Sequence, residues 1–163
     1  MQSFKNITCF IFDVDGVLSN GTVICLASGE QARTFLVKDG LAIERALKKG
    51  YKIAVITAGF QAGVKNRLEF LGIKDIFMNV SNKLEVFNTY LKEKNINPEN
   101  VLYMGDDMPD IPVLKKVGIA ACPANAAEDV LRICHYISPK NGGEGAVRDV
   151  IEKVLKEKGD WDV

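Results

Sequence analysis

Five short apolar runs, separated by stretches of helical spacing, constrain the fold of this chain more than any other feature. Residues 7–12, 51–56, 75–80, 101–104 and 118–122 each read as a buried strand. Between them, Asp39 is placed to cap a helix that runs to Lys49 and closes at Gly50. Its apolar positions Leu41, Ile43, Ala46 and Leu47 share one face. A second helix ends at Leu71, before Gly72, and a third covers 82–94 with Leu84, Phe87 and Leu91 at helical spacing. Further helices are predicted over 109–117, 128–133 and 146–158. Strands that alternate with helices are joined by right-handed crossovers. The expectation is therefore an α/β fold, a Rossmann-like parallel sheet of about five strands with helices on both faces.

One segment breaks the alternation. Residues 21–36 read as a β-hairpin, with TVICL and ARTFL as arms and Ser28-Gly29 as the turn. No repeat, low-complexity stretch or linker interrupts the rest. A single domain over 1–163 is expected, with a protruding hairpin at 21–36, no separate cap domain and a C-terminal tail at 139–163.

Composition narrows the partners. With 163 residues, 47% hydrophobic and 26% charged, the chain can fill one core. Lys plus Arg equals Asp plus Glu at 21 each, and no dense basic run occurs, so neither nucleic acid nor a membrane is an expected partner. No apolar run is long enough to span a bilayer. Residues 1–11 lack the apolar region and cleavage site of a signal peptide, so a cytoplasmic location is expected. Cys9, Cys25, Cys122 and Cys134 have no CxxC spacing and read as small buried residues rather than disulfides or zinc ligands. The single histidine, His135, has no acidic neighbour in sequence, which leaves acid–base chemistry to carboxylates.

In open parallel sheets, ligands bind beyond the carboxyl ends of the strands. The chemistry-bearing residues gather there. Asp13 and Asp15 follow the first run in Asp-Val-Asp-Gly-Val. Two apart on an extended chain they point the same way, and their repulsion calls for a cation or a shared proton. Thr57 follows the second run, where its hydroxyl and the adjacent N–H groups suit either an anion or a helix cap. Ala58 and Gly59 leave room for close backbone approach. Lys83 opens the helix after the third run, where the helix dipole disfavours a cation, so by itself it reads either as a solvated surface lysine or as a charge placed for an anion such as phosphate. Asp106, Asp107 and Asp110 follow the fourth run in Gly-Asp-Asp-Met-Pro-Asp. Oxygen ligands without thiolate or imidazole suit Mg²⁺, and a nucleophilic carboxylate, a hard cation and a lysine together suit phosphoryl transfer.

These motifs, in this order, resemble those of the haloacid dehalogenase superfamily of phosphatases. The likeness is closer to its capless branch, the 3-deoxy-D-manno-octulosonate 8-phosphate phosphatases. That branch also carries the hairpin, the Lys38-Asp39-Gly40 segment and the Gly-Gly-x-Gly-Ala-Val-Arg run found here at 142–148. The resemblance implies that Asp13 is the nucleophile and Asp15 the acid–base group. It implies that Thr57, Ala58, Lys83 and Arg148 bind substrate. Mg²⁺ would be held by Asp13, the Asp15 main-chain carbonyl and Asp106, supported by Asp107 and Asp110. It further implies a phosphorylated sugar acid as substrate, a role in lipopolysaccharide precursor synthesis, and a homotetramer built around the hairpins. In that assembly residues 142–145 either reach a neighbouring site or form the loop before the last helix. The second motif departs from the branch, reading Thr57-Ala58-Gly59-Phe60 where Thr-Gly and a charged residue are usual. A nine-carbon substrate, 2-keto-3-deoxynononate 9-phosphate, therefore stays open. A receiver-type signalling domain shares the same residue types but places its acidic pair before the phospho-accepting aspartate.

Overall fold

The structure is a computed structural model and describes residues 3–162. Six parallel strands form the central sheet: β1 (Cys9–Phe12), β4 (Lys52–Ile56), β5 (Asp75–Phe77), β6 (Val101–Met104), β7 (Ile119–Cys122) and β8 (Tyr136–Ile137). Their order is β5-β4-β1-β6-β7-β8. The chain steps from β1 to β4 on one side, then returns to β6 on the other. The reversal places a crevice beyond the ends of β1 and β6, where such sheets bind ligands.

Side chains of β1 alternate between two cores, as the period of a strand requires. Phe10 and Phe12 face a layer completed by α1 (Val37–Lys48) and α6 (Ala146–Lys158). Cys9 and Ile11 face the opposite layer, with Phe87, Tyr90 and Leu91 of α3 (Lys83–Lys94). All four β1 residues are buried, so the run reads as continuously apolar rather than alternating. Two further α-helices, α2 (Ala62–Phe70) and α4 (Ile111–Leu114), follow β4 and β6, and α5 (Glu128–Leu131) follows β7.

Several local expectations are corrected. β8 makes a sixth strand; two residues are too few to show a period. The helix expected over 109–117 begins as a 3-10 turn at Met108–Asp110 and continues only as α4. α5 stops at Leu131, short of residue 133. Asp39 does not cap α1; the cap position is Leu36, and Asp39 is buried in the first turn with its Oδ1 accepting from the Arg148 backbone N–H. Cys25 is exposed on the hairpin rather than buried, while Cys9 and Cys122 lie in the core. Among the described residues no helix is long and apolar enough to cross a membrane.

Between β1 and α1 stands the hairpin, with β2 (Ile24–Cys25) and β3 (Gln31–Ala32) antiparallel. Its regular part is only two residues per arm, and Ile24 and Leu26 are half exposed.

Candidate active site

Asp13 is the first residue beyond β1. Its backbone N–H donates to the Met104 carbonyl, which carries the β1–β6 pairing one step further and fixes the residue at the crevice. The carboxylate Oδ1 accepts from the Val14 N–H at 2.7 Å, and Oδ2 lies 2.9 Å from Lys83 Nζ. Lys83 is the first residue of α3, whose cap Asn82 accepts from the Glu85 N–H. Its ammonium is buried and also donates to Asp110 Oδ1 at 2.7 Å. Burial works against that charge, but the carboxylates of Asp13 and Asp110 outweigh it and hold the lysine above its ordinary pKa.

Asp110 is fully buried and fully engaged. It accepts from the Tyr103 hydroxyl at 2.6 Å and from Lys83 through Oδ1, and from the Asp106 N–H at 3.1 Å through Oδ2. Asp107 is exposed and caps the turn that follows, its Oδ1 accepting from the Met108 N–H. Asp106 projects against the loop after β1. A Cβ on Gly16 would lie 1.9 Å from Asp106 Oδ2, and Gly16 has φ of +83°, so two independent constraints require glycine there.

Thr57 follows β4 and is buried. Its Oγ1 accepts from the Gly59 N–H at 3.2 Å, so the hydroxyl organises its own turn. It does not cap the helix, since α2 starts at Ala62 with Gln61 at the cap position. A cleft of about 270 Å³ gathers Asp13, Asp15, Thr57, Ala58, Lys83, Asp106, Asp107 and Asp110. Phe60, the last residue of the altered second motif, is 72% exposed.

Oxygens of Asp13, Asp106 and Asp110 lie within 4.8 Å of one another. Burial, and then the charge of Asp110, push the Asp13 carboxyl up, while Lys83 draws it back. Burial followed by Asp110 and Asp107 pushes Asp106 up to about 7. Buried carboxylates that crowd one another in this way, with hard oxygen donors and no thiolate or imidazole among them, fit a divalent cation such as Mg²⁺. Asp110 takes hydrogen bonds from Tyr103, Lys83 and the Asp106 and Asp107 N–H groups, whereas Asp13 takes them from the Val14 N–H and Lys83 alone, so Asp13 and Asp106 keep more acceptor capacity for an ion.

Arg148 is not brought to this cleft within the chain. Its Nε donates to Glu152, its guanidinium lies over the Trp161 ring, and it lines a separate cavity with Lys38 and Lys140. The glycines at 142–143 are likewise used within the chain. Gly143 N–H donates to the Val17 carbonyl, and a Cβ on Gly142 would lie 1.8 Å from the Gly16 carbonyl oxygen. The tail therefore packs directly on the loop that carries Asp15.

Two residues escaped sequence reasoning. Tyr103 is hidden in the apolar run of β6, though a tyrosine hydroxyl at a buried strand position demands a partner. Arg33 stands on the return arm of the hairpin and grips Asp15 with two hydrogen bonds, from Nε at 2.7 Å and Nη2 at 3.2 Å. Its one signal is the lone charge in the ARTFL arm.

Comparison with known proteins agrees with this geometry. Residues 69–151 match the family model of haloacid dehalogenase-like hydrolases. The 3-deoxy-D-manno-octulosonate 8-phosphate phosphatase KdsC of Escherichia coli K12 is 39% identical over 97% of this chain and 84% of its own length. The crystal structure of the 3-deoxy-D-manno-octulosonate 8-phosphate phosphatase from Yersinia pestis superposes with a TM-score of 0.94 at 34% identity, covering 96% of this chain and 85% of that one. The Moraxella catarrhalis enzyme, solved with magnesium ion, phosphate ion and a KDO molecule, gives 0.93 at 34% identity, covering 96% and 90%. Identity of this level along nearly the whole chain, with a fold that superposes as closely, means that this chain belongs to the 3-deoxy-D-manno-octulosonate 8-phosphate phosphatase family of haloacid dehalogenase-like hydrolases.

Proposed function

We propose that this chain hydrolyses 3-deoxy-D-manno-octulosonate 8-phosphate to the free sugar acid and phosphate, with Mg²⁺ as cofactor. The observation that carries the reading is the buried Lys83, which ties Asp13 to Asp110 beside Asp106 at the mouth of the β1–β6 crevice. Asp13, Asp106 and the main-chain carbonyl of Asp15 would hold the ion. When bound, Mg²⁺ neutralises charge on the carboxylates and the phosphate and polarises the phosphoryl group.

The chain's own residues perform the chemistry. A carboxylate oxygen of Asp13 attacks phosphorus, and the bond to the sugar oxygen breaks. Asp15 gives its proton to that departing oxygen. It then takes a proton from water as the water attacks the aspartyl-phosphate, which frees phosphate and restores Asp13. Thr57 and Lys83 hold the phosphoryl oxygens, with Ala58 at the same strand end. Asp110 and Tyr103 keep Lys83 in place, and Asp107 braces the turn that presents Asp106.

Family membership removes the receiver-type alternative. It leaves the nine-carbon analogue as a competitor, because after Thr57 the chain has Ala58-Gly59 where the branch usually has Gly followed by a charged residue. Phosphate release measured on both sugar acids decides: faster turnover of the eight-carbon substrate supports the reading, and faster turnover of the nine-carbon one moves the assignment. Asp13→Asn should abolish both, since an amide is no nucleophile here; near wild-type activity would refute the mechanism.

The half-exposed Ile24 and Leu26, with Val23 at the margin, favour a homotetramer that packs hairpin on hairpin. Arg148 would serve a substrate only across such an interface. Light scattering should give a mass near four times 17.9 kDa, and a monomer at assay concentration would end this reading. Supply of a lipopolysaccharide precursor in the cytoplasm is the matching role.

A further inference from the structure

We propose that Arg33 is the positioning residue for the acid–base carboxylate, so that the hairpin carries part of the catalytic machinery; this rests on the phosphatase reading above. Asp15 sits on a loop, and its side chain is 40% exposed. Apart from Arg33, the one hydrogen bond to its carboxylate among the described residues comes from the Ser19 hydroxyl at 3.5 Å, which is long and weak. The Arg33 fork engages both carboxylate oxygens, at 2.7 and 3.2 Å, in the bidentate geometry that fixes rotation as well as distance. The arginine is itself held. Its side chain is only 5% exposed, and its Nη2 also reaches Gln31 Oε1 at 3.4 Å.

Arg33 acts through Asp15 rather than on a substrate. Asp15 lines the catalytic cleft, whereas Arg33 lines the neighbouring groove with Gln61, Val64 and Arg67. Proton transfer requires the carboxylate within about 2.6–3.2 Å of the reacting oxygen. A side chain free to rotate on a loop would spend little time there. The hairpin returns over the loop and supplies the restraint that the loop lacks.

The test uses the full-length protein with Arg33→Met, which keeps the apolar stem, Arg33→Lys, and each combined with Asp15→Asn. The readout is kcat/KM for 3-deoxy-D-manno-octulosonate 8-phosphate and for aryl phosphates whose leaving groups span a range of acidity. Leaving-group departure falls within kcat/KM, and a good leaving group such as 4-nitrophenolate needs no proton. Arg33→Met should lower kcat/KM for the sugar phosphate about 10- to 100-fold and for 4-nitrophenyl phosphate far less, steepening the leaving-group dependence. Arg33→Lys should recover part of the loss. In the Asp15→Asn background, Arg33→Met should cost nothing more. Equal losses across leaving groups, or full additivity with Asp15→Asn, would overturn the proposal and make Arg33 a hairpin staple or a substrate contact. If Asp15→Asn itself turned over the sugar phosphate at the wild-type rate, the phosphatase mechanism would fail instead. Thermal unfolding checks each variant, and if Arg33→Met does not fold, the lysine variant carries the same leaving-group comparison.

Discussion

Replacing Asp39 with asparagine should stabilise the fold at neutral pH relative to acid, by an amount that the structure sets. Asp39 is 2% exposed. Its Oδ1 accepts from the Arg148 N–H at 2.9 Å, and its buried Oδ2 has no hydrogen-bond partner among the described residues. Burial pushes its pKa from 3.8 up to about 6, against the pull of the Arg148 N–H and then of the Arg148 charge. The native state thus holds this proton more tightly than the unfolded chain does. Stability falls as pH rises from 3.8 through 6, and above that window the ionised carboxylate costs the fold ~3 kcal/mol. Asparagine cannot ionise and keeps the acceptor for Arg148. Its unpartnered amide costs about 1–3 kcal/mol, but equally at every pH. The gap between variant and wild type should therefore move by ~3 kcal/mol in favour of the variant from about pH 3.5 to 7.5. Urea unfolding across that range, at one protein concentration, measures it, and other titrating groups cancel in the difference. A gap that stays flat would mean that burial does not control this group. A gap that moves the other way would mean that the Arg148 charge wins.

Two further outcomes test the site and its support. Activity should vanish in EDTA and return with Mg²⁺, and Asp106→Ala should raise the Mg²⁺ concentration for half-maximal activity at least tenfold while the melting temperature shifts little; full activity of rigorously metal-free protein would refute the metal site. Gly142→Ala should lower kcat by about 10- to 100-fold, because its Cβ would overlap a backbone oxygen at 1.8 Å and no rotamer can relieve that, so the Asp15 loop must move; unchanged kcat in a folded variant would show that the tail does not set the loop.

The legible part of this molecule was the part governed by local periodicity and by the strand-end rule. Asp13, Thr57, Lys83 and Asp106 each follow an apolar run, and the structure gathers all four in one cleft. The illegible part depends on distances that no local pattern encodes. Arg33 meets Asp15 across 18 positions only because the hairpin folds back, and α6 offers an N–H to Asp39 from 109 positions away. The glycines show the difference most sharply. In sequence, the residues at 142–145 read as a pliable tail, since glycine frees the backbone. In the structure, Gly142 is valuable for being thin. Gly16 lies between two surfaces: a Cβ on it would strike Asp106 Oδ2 at 1.9 Å, while its own carbonyl oxygen stands where a Cβ on Gly142 would lie, at 1.8 Å. The Asp106 carboxylate, the loop that carries Asp15 and the tail are thus stacked through two residues without side chains. A methyl group at either would separate layers that must touch. The Gly-Gly run and the glycine of Asp-x-Asp-Gly therefore answer one steric requirement, although 126 positions separate them in the chain.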